Sequence, residues 1–409
     1  MPERSSLPIG YKQTKIGIIP KEWAVKSLAE CFSISAGRDL IKETFSATKT
    51  KICNSPIFSN SMENKGLYGY TSNPRYPAGS LTITGRGTLG VAEFRTESFD
   101  AIIRLLVLTP KMELYGNLIA EYINYRKPFF FECTGIPQLT APQISQTLIP
   151  IPPIEEQKKI VELLNEWDKA IELQTKLIEE LELRKRALMQ HLLTGRVRLN
   201  GFSDKWKKKR LSEIGVFLSS NTLSREKLNK IGGHIQNIHY GDILIHYPTI
   251  VNPEYSQIPY VNRDVIVTSD LLQDGDIIFA DTAEDNTVGK AIEIVNVKSR
   301  QIVAGLHTIP FRPNKGLFAK RFLGYYINSA SYQKQLRALT QGIKVCSISK
   351  SSIKNTYLQI PSLAEQTAIA EVLISADKEI EIAKTKLSSL RNQKRGLMQQ
   401  LLIGKKRVK

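Results

Sequence analysis

Ile151-Pro-Pro-Ile-Glu-Glu-Gln157 recurs as Ile360-Pro-Ser-Leu-Ala-Glu-Gln366, an offset of 209 (366 − 157). The offset holds without a gap to Arg198 and Arg407, with 21 identities in 48 positions. Lys185, Arg186, Leu188, Met189, Gln190, Leu192, Leu193 and Gly195 match Lys394, Arg395, Leu397, Met398, Gln399, Leu401, Leu402 and Gly404. This is far above chance and establishes a duplication. Outward from it the echoes fade but keep their order. Trp23, Leu28 and Glu30 return as Trp206, Leu211 and Glu213, and Thr88-Leu-Gly90 as Thr287-Val-Gly289. Tyr122-Ile-Asn124 returns as Tyr326-Ile-Asn328, and Gly135-Ile136 as Gly342-Ile343. The offsets climb from 183 to 209, so the second copy carries insertions. The chain reads as variable (1–150), constant (151–198), variable (199–359), constant (360–409).

The constant segments are predicted to be long helices. No Pro or Gly interrupts Ile154 to Thr194, Pro152-Pro153 marks the entrance and Gly195 the stop. Roughly 40 residues at about 1.5 Å each make a rod of about 60 Å. Apolar residues alternate at spacings of four and three. Ile160, Leu164, Trp167, Ile171, Ile178, Leu181, Leu188 and Leu192 form one seam, with Gln174 and Lys185 in step. Ile369, Leu373, Ile380, Leu387, Leu390, Leu397 and Leu401 form the other, with Ala376, Ala383 and Lys394 in step. These are heptad seams. Lys185 and Lys394 hold the same seam position, where a lysine either snorkels from the edge or sets the register. Two such helices can pair with each other, and topology alone allows either direction.

The variable segments read as mixed α/β with many short strands, giving an α+β chain overall. Strands are predicted at Ser80–Thr84, Asp276–Ala280 and Ile102–Leu108, and amphipathic helices at Leu118–Tyr125 and Ala319–Asn328.

Composition narrows the function. The 409 residues are 42% hydrophobic and 23% charged, which is ordinary globular composition, and carry a net charge of +18. No stretch is long and apolar enough to span a membrane, and the first residues do not read as a secretory signal. Cys31, Cys53, Cys133 and Cys346 are far apart without metal spacing, which predicts reduced thiols in a cytoplasmic protein. The charge is unevenly placed. Segment 155–195 carries −2 and 363–404 carries +1, whereas 1–154 carries +5 and 199–362 carries +8. The remainder sits at the rod exits (Arg196, Arg198, Lys405, Lys406, Arg407, Lys409). A polyanion, nucleic acid first among them, would be gripped by the variable domains with the rods as spacer.

No catalytic constellation is found. Gly85-Arg-Gly87-Thr-Leu-Gly90 matches a dinucleotide-binding pattern, but a strand-like Val91–Arg95 follows it instead of a helix, so a hairpin turn is the better reading. Asn73-Pro-Arg-Tyr76 and Asn252-Pro-Glu-Tyr255 lack the second proline of the adenine-methyltransferase signature. No phosphate-binding loop with its lysine is present. Asp274, Asp276, Asp281, Glu284 and Asp285 lie near Lys290 but have no counterpart in the first copy, which favours a solvated turn. The five histidines show no metal spacing. His234 and His239 are either surface residues or DNA contacts.

The opening Gly10-Tyr-Lys-Gln-Thr-Lys-Ile-Gly-Ile-Ile-Pro-Lys-Glu-Trp23 with Leu28-Ala-Glu30 resembles the start of target recognition domains in type I restriction–modification specificity subunits. The two helices closing in Lys-Arg-Ala-Leu-Met-Gln-His-Leu-Leu-Thr-Gly195 and Lys-Arg-Gly-Leu-Met-Gln-Gln-Leu-Leu-Ile-Gly404 carry the same resemblance, which spans essentially the whole chain. It implies an antiparallel coiled coil with pseudo-twofold internal symmetry, separating two domains that each read half of a bipartite double-stranded DNA target. It implies two modification (methyltransferase) subunits docked on the coiled coil, recruitment of restriction (translocase–nuclease) subunits, and no catalysis or cofactor in this chain. S-adenosylmethionine, ATP and Mg would belong to the partners.

On this reading the rods fix the gap between half-sites, about one helical turn or roughly 10 bp between centres. Lys and Arg on phosphates position each domain, and base-edge contacts specify the sequence. The nominated DNA contacts are Arg86, Thr88, Gln138 and Thr140 in the first domain. In the second they are Asn286, Lys290, Gln341, Lys344 and Lys350. The specificity component of a methylation-only or single-chain-nuclease restriction system would look the same. A free-standing DNA-acting enzyme lacks its motif here, and a purely structural coiled-coil protein leaves the charge of the variable domains unexplained.

Overall fold

The structure, a computed structural model, describes residues 7–129, 137–263, 265, 267–342 and 345–408. It divides into two compact units, residues 1–175 with 385–409, and residues 176–384. The long helices span Ile154–Leu192 and Leu363–Leu401. Each unit therefore contains one variable segment, the beginning of the helix that follows it, and the end of the other copy's helix. Glu155 and Glu156 lie in the first turn of the first helix, and Glu365 in that of the second, where they complement the helix dipole. Gly195 and Gly404 close the helices with φ of +70° and +68°, a left-handed conformation that glycine adopts without strain.

In the first unit an antiparallel sheet runs in the order Phe32–Ala36, Leu106–Pro110, Leu81–Ile83, Ala92–Phe94. A second sheet is built from Asp100–Ala101, Ser55–Phe58, Leu67–Thr71 and Phe45–Ser46. The helix Gly116–Arg126 packs on the first sheet through Leu118, Ile119, Tyr122 and Ile123. The same core takes in Trp23, Ile160, Leu164 and, from the end of the second long helix, Leu401 and Leu402.

The second unit repeats this plan. Gly215–Phe217, Thr308–Pro313, Ile277–Ala280 and Ala291–Ile294 follow the same order, with Ile250–Val251 added at the edge. Leu228–Asn229, Tyr260–Val261, Ile235–Ile238 and Gln301–Ala304 form the companion sheet. Leu192 and Leu193, from the end of the first long helix, share a core with Phe279, Tyr325, Ile369 and Leu373.

Ion pairs show how the helices run within each unit. Glu156 pairs with Arg407 and Asp168 with Lys394 in the first; Lys185 pairs with Asp377 and Arg198 with Glu365 in the second. As one number rises the other falls, so the segments are antiparallel inside each unit. The seam positions are buried or half-buried along both helices.

One predicted strand differs. Pairing begins at Leu106, and Ile102–Leu105 forms a tight turn, with Leu105 N–H donating to the Ile102 carbonyl at 3.1 Å. Ile103 and Arg104 have φ of +54° and +57°. The apolar run suggested a continuous strand, but Ile102 and Leu105 are buried while Ile103 is 49% exposed between them. Cys31, Cys53 and Cys346 are free thiols, and Cys133 lies outside the described residues. Among the described residues no helix is long and apolar enough to cross a membrane.

Candidate nucleic-acid interface

The glycine-rich segment 85–90 is the hairpin turn between Leu81–Ile83 and Ala92–Phe94, closed by Gly90 N–H on the Thr84 carbonyl at 2.8 Å. Other segments meet it. Asn60 Nδ2 donates to the Ile103 carbonyl at 2.7 Å, and Asn60 Oδ1 accepts from Gly85 N–H at 2.8 Å. Leu139 N–H donates to the Gly85 carbonyl at 2.9 Å. A Cβ at Gly85 would stand 2.8 Å from the Leu139 carbonyl oxygen, so only glycine permits this approach. Ile103 and Arg104 N–H donate to the carbonyls of Arg38 and Gly37. Arg38, Arg86, Arg104 and Gln138 are thus gathered at one loop cluster, and all four are exposed.

The second unit builds the equivalent cluster. Asp281 N–H donates to the His307 carbonyl at 3.1 Å, and Ile348 N–H to the Asp281 carbonyl at 2.8 Å. Thr282 and Ala283 pair with Ser347 and Cys346, and Gln341 bridges to Ser347. His307 Nδ1 stands 3.2 Å from Asp281 Oδ1, and the Tyr240 ring meets the His307 ring edge-on at 5.2 Å. The surface is less basic than the first.

The nominated residues fall into groups. Arg86, Thr88 and Gln138 are exposed at the first cluster, and Asn286 and Gln341 at the second. Thr140 instead caps the short helix Ala141–Ser145 in a capping box with Gln143. Lys290 is half-buried, its Nζ donating to the Leu244 carbonyl at 2.9 Å, and burial lowers its pKa. Lys350 donates to the Leu218 carbonyl at 3.2 Å and lies over the Phe217 ring. Lys344 lies outside the described residues. His239 is buried and accepts Gly241 N–H, whereas His234 is exposed. Arg38, Asn60, Arg104 and His307 were not anticipated. Arg104 was concealed inside an apolar run, and the other three carry no local pattern.

The acidic residues near Lys290 serve the fold. Asp276 is buried against Arg312 at 2.7 Å, Asp274 accepts Val297 N–H, and Asp285 accepts from Thr287. Among the described residues no group of His, Cys, Asp and Glu could hold a metal ion.

The duplicated motif has a structural explanation. Its glutamate is buried in both units. Glu156 accepts from Trp23 Nε1 at 2.9 Å and from Arg407 at 2.6 and 2.8 Å. Glu365 accepts from Trp206 Nε1 at 3.0 Å and from Arg198 Nη2 at 2.7 Å. The neighbouring glutamine folds back on Pro152 or Pro361 and accepts N–H of Tyr115 or Ala319. Each variable domain is thus latched to its own helix entrance and to the exit of the other copy's helix.

Further along the seam, Lys394 contacts Asp168 at 2.7 Å and Glu121 at 2.9 Å. Burial opposes its charge, yet the two carboxylates carry its pKa above the ordinary value. Lys185 pairs with Asp377, which also accepts from the Tyr325 hydroxyl at 2.6 Å. The seam lysines thus pair with a carboxylate of the facing helix, and these nodes also meet a domain helix through Glu121 or Tyr325.

Residues 20–183 and 203–392 match the family described as the type I restriction modification DNA specificity domain, and the chain belongs to that family. It is 25% identical over 389 residues to the type I restriction enzyme MjaVIII specificity subunit of Methanocaldococcus jannaschii, covering 91% of this chain and 85% of that protein. It is 26% identical over 441 residues to the putative MjaX specificity subunit of the same organism, covering 98% and 97%. The fold is that of the type I S subunit from M. genitalium, with a TM-score of 0.55 at 15% identity over 93% of this chain and 96% of that one. A chain from a type I R-M assembly gives a TM-score of 0.60 at 16% identity, covering 94% and 99%. The chain is a DNA sequence-specificity subunit of a type I restriction–modification system.

Proposed function

We propose that this subunit reads a bipartite double-stranded DNA target, one half with each variable domain, and that its long helices form an antiparallel coiled coil with pseudo-twofold symmetry that sets the gap. The repeated loop cluster carries this reading. The same strand order presents the same loops in both units, while the exposed side chains differ, as two readers of different words require. The chain itself is non-catalytic. It docks two modification subunits along the helices, and restriction subunits join that complex. Methyl transfer, ATP use and cleavage reside in the partners, and the target adenine leaves the stack for the methyltransferase.

The test is the methylome of the host with and without this gene, in which one two-part methylated motif should vanish. Exchanging residues 1–150 for another such domain should alter one half of that motif alone. Removing about seven residues from each rod, two turns of helix, should change the gap and spare both halves. An unchanged gap would refute the ruler.

A further inference from the structure

The two loop clusters share a backbone peculiarity that the framework does not require. Leu106 pairs with Ile83, two residues before Gly85, and Ile309 pairs with Phe279, two residues before Asp281. Counting back two residues from Leu106 and Ile309 gives Arg104 and His307. Both are non-glycine residues in the left-handed region, with φ of +57° and +54°. Both are exposed at the turn that enters the central strand. Glycine or asparagine would hold this conformation with less strain. Each copy instead retains a long side chain with N–H groups, and strain kept at an exposed loop marks a functional position.

The surroundings fit that role. Asn60 holds the Ile103–Arg104 turn to Gly85 through two hydrogen bonds, so the turn is fixed from below while its tip stays open. Among the described residues the Arg104 guanidinium makes no hydrogen bond or ion pair, and neither do those of Arg38 and Arg86. Three unpaired arginines at one cluster suit a DNA groove, and the arginine at the strained tip has the most restricted backbone. A guanidinium fork matches the O6 and N7 acceptors of guanine in the major groove. In the second unit His307 Nδ1 lies 3.2 Å from Asp281 Oδ1 and 3.3 Å from Thr282 Oγ1, and an Nδ1–H donated to Asp281 would leave Nε2 as an acceptor for an exocyclic amino group.

We infer that Arg104 and His307 are equivalent base-reading positions, Arg104 recognising a guanine in one half-site and His307 a base of the other half-site through its amino group. The inference rests on the DNA-reading function proposed above. It places specificity on a turn inside an apolar run, outside the glycine hairpin of 85–90.

The experiment is the methylome of cells carrying the full-length chain with its modification subunits, comparing wild type with Arg104→Gly, Arg104→Lys and His307→Gly. Glycine removes the side chain and relieves the backbone, so the melting temperature of Arg104→Gly should not fall and misfolding cannot mimic the result. Arg104→Gly should turn one G·C position of one half-site degenerate, with a roughly ten- to hundredfold loss of discrimination, the range of a bidentate arginine–guanine pair. The other half-site should be unchanged. Arg104→Lys should give the same degeneracy, because a lysine preserves a phosphate contact but not the fork. His307→Gly should relax a position in the other half-site. A motif unchanged in Arg104→Gly, full recognition kept by Arg104→Lys, or a change in both halves would overturn the inference. Absence of any two-part motif in wild type would overturn the DNA-reading function itself, and the inference with it.

Discussion

The two units agree most closely where they are buried and least where they are exposed. Trp23, Glu156 and Arg407 in the first repeat Trp206, Glu365 and Arg198 in the second atom for atom. At the loop clusters three arginines face solvent in one unit, and a histidine–aspartate–tyrosine group replaces them in the other. A buried carboxylate between an indole N–H and a guanidinium tolerates no change at a single position, because each partner left behind would be stranded. A solvated loop has no such constraint. On the proposed DNA-reading function, the difference separates what holds a reader from what it reads.

The latches should give the largest effects, and unequal ones. Arg407 also reaches Glu22 at 2.5 Å, whereas no second carboxylate pairs with Arg198 among the described ion pairs. Glu365, 1% exposed in its side chain, is the more completely enclosed of the two glutamates. Glu365→Ala should cost about 4 kcal/mol and Glu156→Ala about 3 kcal/mol, as removing one partner of a buried pair does. Thermal melts of the two variants would test the ranking. Equal losses would mean that Glu22 gives Arg407 no support.

A second asymmetry lies beside the domain helix. Asn124 brackets Ala92 with two hydrogen bonds, and Asn328 brackets Ala291 in the same way, so Phe94 and Glu293 are equivalent. Phe94 packs against Gly116. Glu293 stands at the wall of a cavity of about 900 Å³ that is also lined by Arg312, Lys320 and Lys378. Burial pushes the Glu293 pKa up to about 7, against the pull of the Gly324 and Arg321 N–H groups. A raised carboxyl pKa means that the folded state binds the proton more tightly than the unfolded chain. Stability from this group is therefore present below pH 4.5 and is lost as the pH climbs through 7, by up to about 3 kcal/mol. Glu293→Gln should flatten that part of the stability–pH curve, whereas Phe94→Ala in the first unit should lower stability equally at pH 5 and pH 8. A Glu293→Gln curve parallel to wild type between pH 5 and 8 would refute the assignment.

The long helices, their ends and the duplication were legible because each rests on local chemistry: proline at the start, glycine at the stop, a seam between. The glycine hairpin at 85–90 was legible for the same reason. The partners of the seam lysines were not. Asp168 and Asp377 are equivalent residues, yet each answers the lysine of the other copy, and a repeat aligned with itself gives no hint of that exchange. Sheet order depends on pairings distant in sequence, such as Leu106 with both Ile83 and Ala36. The turn at Ile103–Arg104 was hidden by its apolar, β-branched neighbours. Lys290 and Lys350 were nominated as DNA contacts from their place beside the repeated turns, and their hydrogen bonds to the Leu244 and Leu218 carbonyls, distant in sequence, were not legible.

The seam lysines give the smallest and most discriminating comparison. Lys394 serves two carboxylates, Asp168 and Glu121; among the described residues Lys185 serves Asp377 alone, because Tyr325 occupies the place of Glu121. Removing Lys394 would leave two like charges facing each other beside a largely buried site. Removing Lys185 would leave one carboxylate that keeps its tyrosine hydroxyl. Lys394→Met should therefore cost about 2 kcal/mol and Lys185→Met about 1 kcal/mol, both moderated by the partial exposure of the aspartates. Adding Glu121→Gln to Lys394→Met should recover about half of its loss, since the remaining repulsion is then gone. Chemical denaturation of the single and double variants reads this directly. If the double variant is weaker than Lys394→Met, Glu121 contributes packing rather than charge, and the electrostatic difference between the two nodes is refuted.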